Sequence, residues 1–243
     1  MLPNSDKAET KYVEPGVLYL VSTPIGNLED ITLRALKVLQ KVDLLAAEDT
    51  RHTGILLKHY NLDKSIISYH DFNKNRKAPF LIEQLKANKS VAVISDAGTP
   101  GISDPGYHLV QLAIRENIKV VPIPGASAFL SALVASGLPT DKFVFEGFLS
   151  PKPGKRRKRL EELREEKRTI IFYESPHRFI RMLDDVAEIL GQRKMVIARE
   201  LTKKFEEIIR GTPEEIKRYF GERKIKGELV VLIKGRSDVN ERM

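Results

Sequence analysis

Residues able to do chemistry gather in a few short segments. Ser22-Thr23-Pro24-Ile25-Gly26-Asn27, Ser95-Asp96-Ala97-Gly98-Thr99-Pro100-Gly101, Pro122-Ile123-Pro124-Gly125-Ala126-Ser127-Ala128 and Glu174-Ser175-Pro176-His177 each follow a β-rich run and are built from residues that shape backbone. Glycine lets the chain pass close to a ligand, and proline holds it rigid there. Any one of these segments could be no more than a turn, but four at strand ends point to a ligand crevice. A further segment, Ala46-Ala47-Glu48-Asp49-Thr50-Arg51-His52-Thr53, packs two carboxylates, an arginine, two hydroxyls and a histidine between a strand and a helix. Plain helix capping by Asp49 or Thr50 explains it as well as chemistry does. His70-Asp71-Phe72-Asn73 carries a weaker version of the same ambiguity.

What is missing narrows the chemistry. The 243 residues include no cysteine and no tryptophan, which removes disulfides, thiolate metal sites and cysteine nucleophiles. The histidines, His52, His59, His70, His108 and His177, show no H-E-x-x-H spacing, so no metal is expected. G-x-G-x-x-G and G-x-x-x-x-G-K-[ST] are absent too; a nucleotide-like cofactor would have to be bound differently. Lys+Arg total 41 against 33 Asp+Glu, a net charge of +8. That suits a polyanionic partner and, equally, plain solubility. Lys152, Lys155, Arg156, Arg157, Lys158 and Arg159 are interrupted by Pro153 and Gly154. The run reads as a mobile loop that grips phosphates, although charge runs are more often solvated faces.

The elements that must position these segments alternate short β-rich runs with helical patterns, as in a wound α/β sheet. Strands are expected at Val17–Val21, Leu44–Ala47, Ile66–Tyr69, Val91–Ser95 and Val120–Ile123, with helices at Glu29–Lys41 and Pro105–Arg115. A second half begins near Ala126, with strands Phe143–Phe148, Thr169–Tyr173, Met195–Arg199, Glu206–Arg210 and Leu229–Ile233. Ser175-Pro176 opens a helix there, and Thr212-Pro213-Glu214-Glu215 is a capping box. Antiparallel pairing is expected between Ile197 and Arg210, where the chain is too short for a helical crossover. The expected organisation is a flexible tail over 1–15, α/β domains over 16–125 and 126–236, and a tail over 237–243. Met1 to Pro15 has no apolar h-region, so no signal peptide is expected. The longest apolar stretch, Ala126 to Leu138, falls short of the ~20 residues that span a bilayer. A soluble, cytoplasmic protein without membrane contact is expected.

In order, Ser22 to Leu28, Ala47 to Thr53, Ser95 to Pro100 with Ile102 to Gly106, Pro124 to Ala128 and Phe172 to Arg178 resemble the motifs of the ribosomal RNA small subunit methyltransferase I family, within the tetrapyrrole methylase superfamily. The resemblance runs from about Gly16 to Lys234. Gly101 stands where the family has a larger apolar residue and Ala126 where it has proline. The resemblance implies two α/β domains, a mostly parallel sheet in the first and a mixed sheet in the second, with a cofactor cleft between them and a homodimeric assembly. It also implies S-adenosylmethionine-dependent 2′-O-methylation of a cytidine ribose in the decoding region of 16S ribosomal RNA, within the small ribosomal subunit.

By motif position, Pro24, Asp96, Ala97, Gly98, Thr99, Ser127 and Ala128 would line the cofactor, joined by Glu174, Ser175 and Leu201. A ribose hydroxyl is a poor nucleophile while protonated, and Glu48, Asp49, Asp96 and His70 are candidate bases or orienting groups. Glu48 and Asp49 rank first because they lie in the densest polar cluster. Arg51 could hold a phosphate by its bidentate fork, beside Lys152, Lys155, Arg156, Arg157, Lys158 and Arg159. Tyr69, Phe72, Phe148 and Tyr173 could stack an unpaired base or simply pack the core. Two other readings fit the same residues: a methyltransferase acting on a small tetrapyrrole-like molecule, and a non-catalytic RNA-binding module.

Overall fold

The computed structural model describes residues 12–237. The expected tails lie largely outside those residues, at 1–11 and 238–243. Residues 12–15, the described part of the first tail, are tied down. Val13 packs on the core, the Glu14 amide donates to the Tyr19 hydroxyl at 2.7 Å, and Lys119 pairs with the Glu14 carboxylate at 2.8 Å. The chain forms two compact units that divide between Ala126 and Ser127.

The first unit is a five-stranded, all-parallel sheet of β1 (Leu18–Val21), β2 (Leu44–Ala47), β3 (Ile66–Ser68), β4 (Val91–Ile94) and β5 (Val120–Ile123), in the order β3-β2-β4-β1-β5. Alternation along the strands splits its core into two layers. Tyr19, Val21, Leu45, Ala47, Ala92 and Ile94 face α1 (Leu33–Lys41) and α2 (Thr50–His59). Leu18, Ala46, Val91 and Val93 face α3 (Lys74–Lys86) and α4 (Gly106–Arg115). Strands buried on both faces read as continuous apolar runs, which made them visible in the sequence. The helix expected from Glu29 starts later, at Leu33. Leu28–Asp30 is a separate 3₁₀ turn capped by Asn27, and the Thr32 hydroxyl caps the helix by accepting from the Ala35 amide at 3.0 Å.

The second unit begins with α5 (Ala128–Ser136) and holds β6 (Phe143–Phe148), α6 (Pro153–Glu162), β7 (Thr169–Glu174), α7 (Phe179–Leu190), β8 (Met195–Arg199), β9 (Glu207–Gly211), α8 (Pro213–Phe220) and β10 (Leu229–Ile233). Its sheet is mixed, in the order β6-β7-β10-β8-β9. β6 and β7 are parallel, whereas β10 runs antiparallel to both β7 and β8, and β8 pairs antiparallel with β9 as expected. Ile170, Phe172, Ile197 and Val231 pack on one face against Leu160, Phe179, Leu183 and Ile216 of α6, α7 and α8. Ile171, Val196, Ala198 and Val230 face Ala132 and Leu133 of α5. The capping box at Thr212 and Glu215 forms as the sequence predicts.

Among the described residues no helix is long and apolar enough to cross a membrane.

Candidate active site

The carboxyl ends of β1, β4, β5 and β2 carry loops that lock onto one another. Leaving β1, Ser22 donates its amide to Ile123 of β5 at 3.2 Å. Thr23 and Gly98 then exchange two backbone hydrogen bonds of 2.9 and 3.1 Å, the Thr23 hydroxyl donates to the Ser95 carbonyl at 3.2 Å, and Ser22 Oγ meets Thr99 Oγ1 at 3.0 Å. A Cβ on Gly125 would sit 2.8 Å from Ser22 Cβ, so only glycine lets the β5 loop pass. The result is a stiff rim: Pro24 is buried beneath it, while Asp96 and Ala97 stand exposed at its edge.

The β2 loop joins this rim through Asp96, whose Oδ1 accepts the Asp49 amide at 2.9 Å. Asp49 itself caps α2. Its Oδ1 accepts from the Arg51 amide at 2.8 Å and the His52 amide at 3.4 Å, and its Oδ2 pairs with Arg51 at 3.2 Å. Hydrogen bonds from Arg51 hold the Asp49 carboxyl below its ordinary value. The capping reading of Asp49 is therefore fulfilled. Glu48 differs: burial, together with the charges of Asp96, Asp104 and Asp71, pushes its carboxyl up to about 6. A carboxylate that holds its proton nearly to neutrality is suited to proton transfer.

Asp104 lies two residues before α4, next to the N-cap residue Pro105. It accepts the Gly101 amide at 2.8 Å and the Gly106 amide at 2.7 Å. Burial raises its carboxyl. The clamp folds the chain so that Gly101 takes a φ of +91°, a conformation that favours glycine. His70 receives Asn73 Nδ2 at 3.1 Å on Nε2, leaving Nδ1 buried without a partner.

In the second unit, Ser127 is the N-cap residue of α5, without a side-chain cap bond, and Ala128 opens the helix. Ala128, Leu201 and Tyr173 pack around one apolar cluster. Glu174, at 2% exposure, uses Oε1 to accept from the Ser175 amide and from Arg178, both at 2.6 Å, while its Oε2 has no partner. Arg178 was read only as the end of a motif; its pairing with Glu174 was not foreseen, because the two flank the turn between β7 and α7 and share no helix whose spacing would announce it.

The basic segment corrects the expectation of a mobile loop. From Pro153 onward it is α6, with proline at the first turn. Arg156 is 4% exposed and bonds Asp185 at 2.6 Å; Arg157 bridges Asp185 and Glu188; Arg159 bonds Glu146 and Glu162, each at 2.7 Å. Those three arginines stitch α6 to its surroundings. Lys152, Lys155 and Lys158 stay exposed and without a carboxylate partner among the described residues. Among the described residues, no group of three or more histidine and acidic side chains is arranged to hold a metal ion.

Residues 17–217 match the family of tetrapyrrole (corrin/porphyrin) methylases. "Ribosomal RNA small subunit methyltransferase I" of Synechocystis sp. is 53% identical over 221 residues, 90% of this chain and 79% of the relative. The protein of the same name from Thermotoga maritima is 48% identical over 221 residues, covering 91% and 99% of the two chains. Among solved structures, uroporphyrin-III-C-methyltransferase from Thermus thermophilus superposes with a TM-score of 0.62 at 20% identity, covering 89% of this chain and 94% of that one. A cobalt precorrin-4 methyltransferase gives 0.65 at 16% identity, covering 95% and 98%. At such identities the two structures speak for the fold alone.

Proposed function

From the premise that the chain belongs to the tetrapyrrole methylase family, we propose that it transfers a methyl group from S-adenosylmethionine to the 2′-hydroxyl of a cytidine in the decoding region of 16S ribosomal RNA. Methyl transfer to small-subunit ribosomal RNA rests on relatives about half identical over nine-tenths of the chain. The choice of a ribose oxygen follows the motif resemblance, and the Glu48 carboxyl, pushed up to about 6 by burial and neighbouring acids, supplies the base that an unactivated hydroxyl needs.

The family's methyl donor is S-adenosylmethionine, a cationic nucleoside, and the residues suit it. Asp96 offers a carboxylate at a rim whose backbone is fixed by the Thr23–Gly98 bridge, and Pro24, Ala97, Gly98 and Thr99 supply shape rather than competing charge. In the second unit, Glu174 Oε2 is a buried acceptor lacking a donor, as a hydroxyl or ammonium group requires; Ser127, Ala128, Ser175 and Leu201 remain the other candidates there. The donor supplies a methyl group on a sulfonium. Everything else falls to the chain: stiff loops set the line of displacement, and Glu48 takes the hydroxyl proton. With its carboxyl near 6, Glu48 is mostly ionised at neutral pH yet more basic than an ordinary carboxylate.

The test is to incubate the protein with labelled donor and either naked ribosomal RNA or intact small subunits, then map the labelled nucleoside. A 2′-O-methylcytidine is the expected product. Label on a base carbon or nitrogen, or on a small tetrapyrrole alone, sinks the proposal, as does a failure to bind the donor.

A further inference from the structure

Phe72 is 99% exposed at the turn between β3 and α3. The turn is fixed: Asn73 Oδ1 accepts the His70 amide at 2.9 Å, Asn73 Nδ2 reaches the Ser68 carbonyl at 3.2 Å, and Lys74 pairs with Asp71 at 2.8 Å. The His70 ring stands at 65° to the phenyl ring, 6.0 Å between centroids, and the phenyl stays almost wholly exposed. Of the other aromatics singled out, Tyr69 and Tyr173 are engaged, and Phe148, though exposed, lies against Tyr173. Tyr69 is 1% exposed, and Tyr173 packs against both Phe145 and Phe148.

Charge beside the ring shows what would cover it. The first turn of α3 carries Lys74, Arg76 and Lys77 and no acid. Cations there oppose the helix dipole, so helix stability does not explain them. Arg76 and Lys77 have no carboxylate partner among the described residues, whereas Lys74 is spent on Asp71. The turn also follows the strand beside the candidate base: Tyr69 donates its amide to the Ala47 carbonyl at 2.8 Å, one residue before Glu48. Resting on the ribosomal RNA reading, we propose that Phe72 is a stacking platform for an unpaired base of the RNA beside the acceptor nucleotide, with Arg76 and Lys77 holding its phosphates. An unpaired base offers a π-face matched to the ring and a backbone matched to the cations. Phe72 is a positioning residue in this scheme.

The chain contains no tryptophan, so Phe72→Trp installs a single indole reporter. Its emission is expected to be quenched on adding small-subunit ribosomal RNA or intact small subunits, with KM for RNA close to the parent's because stacking is kept. Phe72→Ala should raise KM for RNA about 5- to 150-fold while the dissociation constant for S-adenosylmethionine stays unchanged. Arg76→Gln with Lys77→Gln should flatten the salt dependence of RNA affinity by roughly 1.4 in log–log slope. An unquenched indole on protein that binds and methylates RNA, or a parental KM in Phe72→Ala, overturns the inference and leaves the methyltransferase reading intact. Indole emission that changes with protein concentration alone means a second copy covers the ring, which also overturns it. Parent protein that neither binds nor methylates RNA removes the ribosomal RNA reading, and the inference with it.

Discussion

Thr23 and Gly98 form an antiparallel bridge between loops that leave two parallel strands, with hydrogen bonds of 2.9 and 3.1 Å. Neighbouring parallel strands deliver their loops in the same direction, and the bridge makes those loops turn toward each other. The Asp96–Ala97 tip is thereby held on both sides, one side by the bridge and the other by the Asp49 amide.

That lock predicts a sharp effect of Gly125→Ala. The new Cβ would lie 2.8 Å from Ser22 Cβ, and overpacking of this kind costs about 1–3 kcal/mol. Both the urea midpoint and the affinity for S-adenosylmethionine should fall, because the strain enters at Ser22, a partner of Thr99. Calorimetry with the donor and a denaturation curve check this together. Parental values in both would show that the rim yields freely.

Asp185 faces Arg156 with both side chains nearly out of water, 11% and 5% exposed. Asp185→Ala leaves a buried, uncompensated guanidinium and should cost about 3–5 kcal/mol. Lys155→Gln, on the same helix but solvated, should stay within about 0.5 kcal/mol. Urea denaturation of the two variants separates a structural arginine from a free lysine.

This pair also shows where sequence reading stops. Pro153 and Gly154 read as breakers, yet proline suits the first turn of a helix, where its missing N–H is not needed. The carboxylates that hold Arg156 and Arg157 sit on α7, 28 to 31 residues away, and no local signal announces them. Strands such as β4 and β10 were legible because double burial makes them apolar throughout, and the Thr212 cap because its partners are local. The rim residues were legible as a pattern of glycine and proline. The Asp49 cap was legible too, its partners being local; the raised Glu48 carboxyl was not, since it depends on burial and on Asp96 and Asp104 arriving from a different loop.

If α6 meets the RNA, its three free lysines are the residues left to contribute to the salt dependence of binding. If Lys152, Lys155 and Lys158 each touch a phosphate of single-stranded RNA, their share of the log–log slope is roughly −2, from about 0.7 per contact, rather than the −4 of a six-cation grip. Replacing all three with glutamine should remove that share. Replacing Arg159 instead should act on stability, since Glu146 and Glu162 already occupy it. Affinities measured across a salt series decide it, and a slope untouched by the triple variant takes α6 out of the interface.

Glu48 and Asp49 are adjacent in sequence and opposite in environment, so a pH profile distinguishes them. The Glu48 carboxyl stands near 6 because burial and neighbouring acids penalise its charge. As base it must be ionised, so kcat/KM for RNA at saturating donor should rise with pH through about 6 and then level. Glu48→Gln should abolish that limb and lower the rate about 10²- to 10⁴-fold. The folded state binds this proton more tightly than the unfolded chain, whose carboxyl titrates near 4.5. Ionised Glu48 therefore costs stability above pH 6, and that cost is relieved as pH falls toward 4.5. Glu48→Gln should accordingly melt slightly higher than the parent at neutral pH while being nearly inactive. Asp49→Ala should do the reverse, since it removes the cap of α2 without removing the base: a lower melting temperature, with the acidic limb of the rate profile kept. A profile whose limb survives Glu48→Gln and vanishes in Asp49→Ala would exchange the two roles.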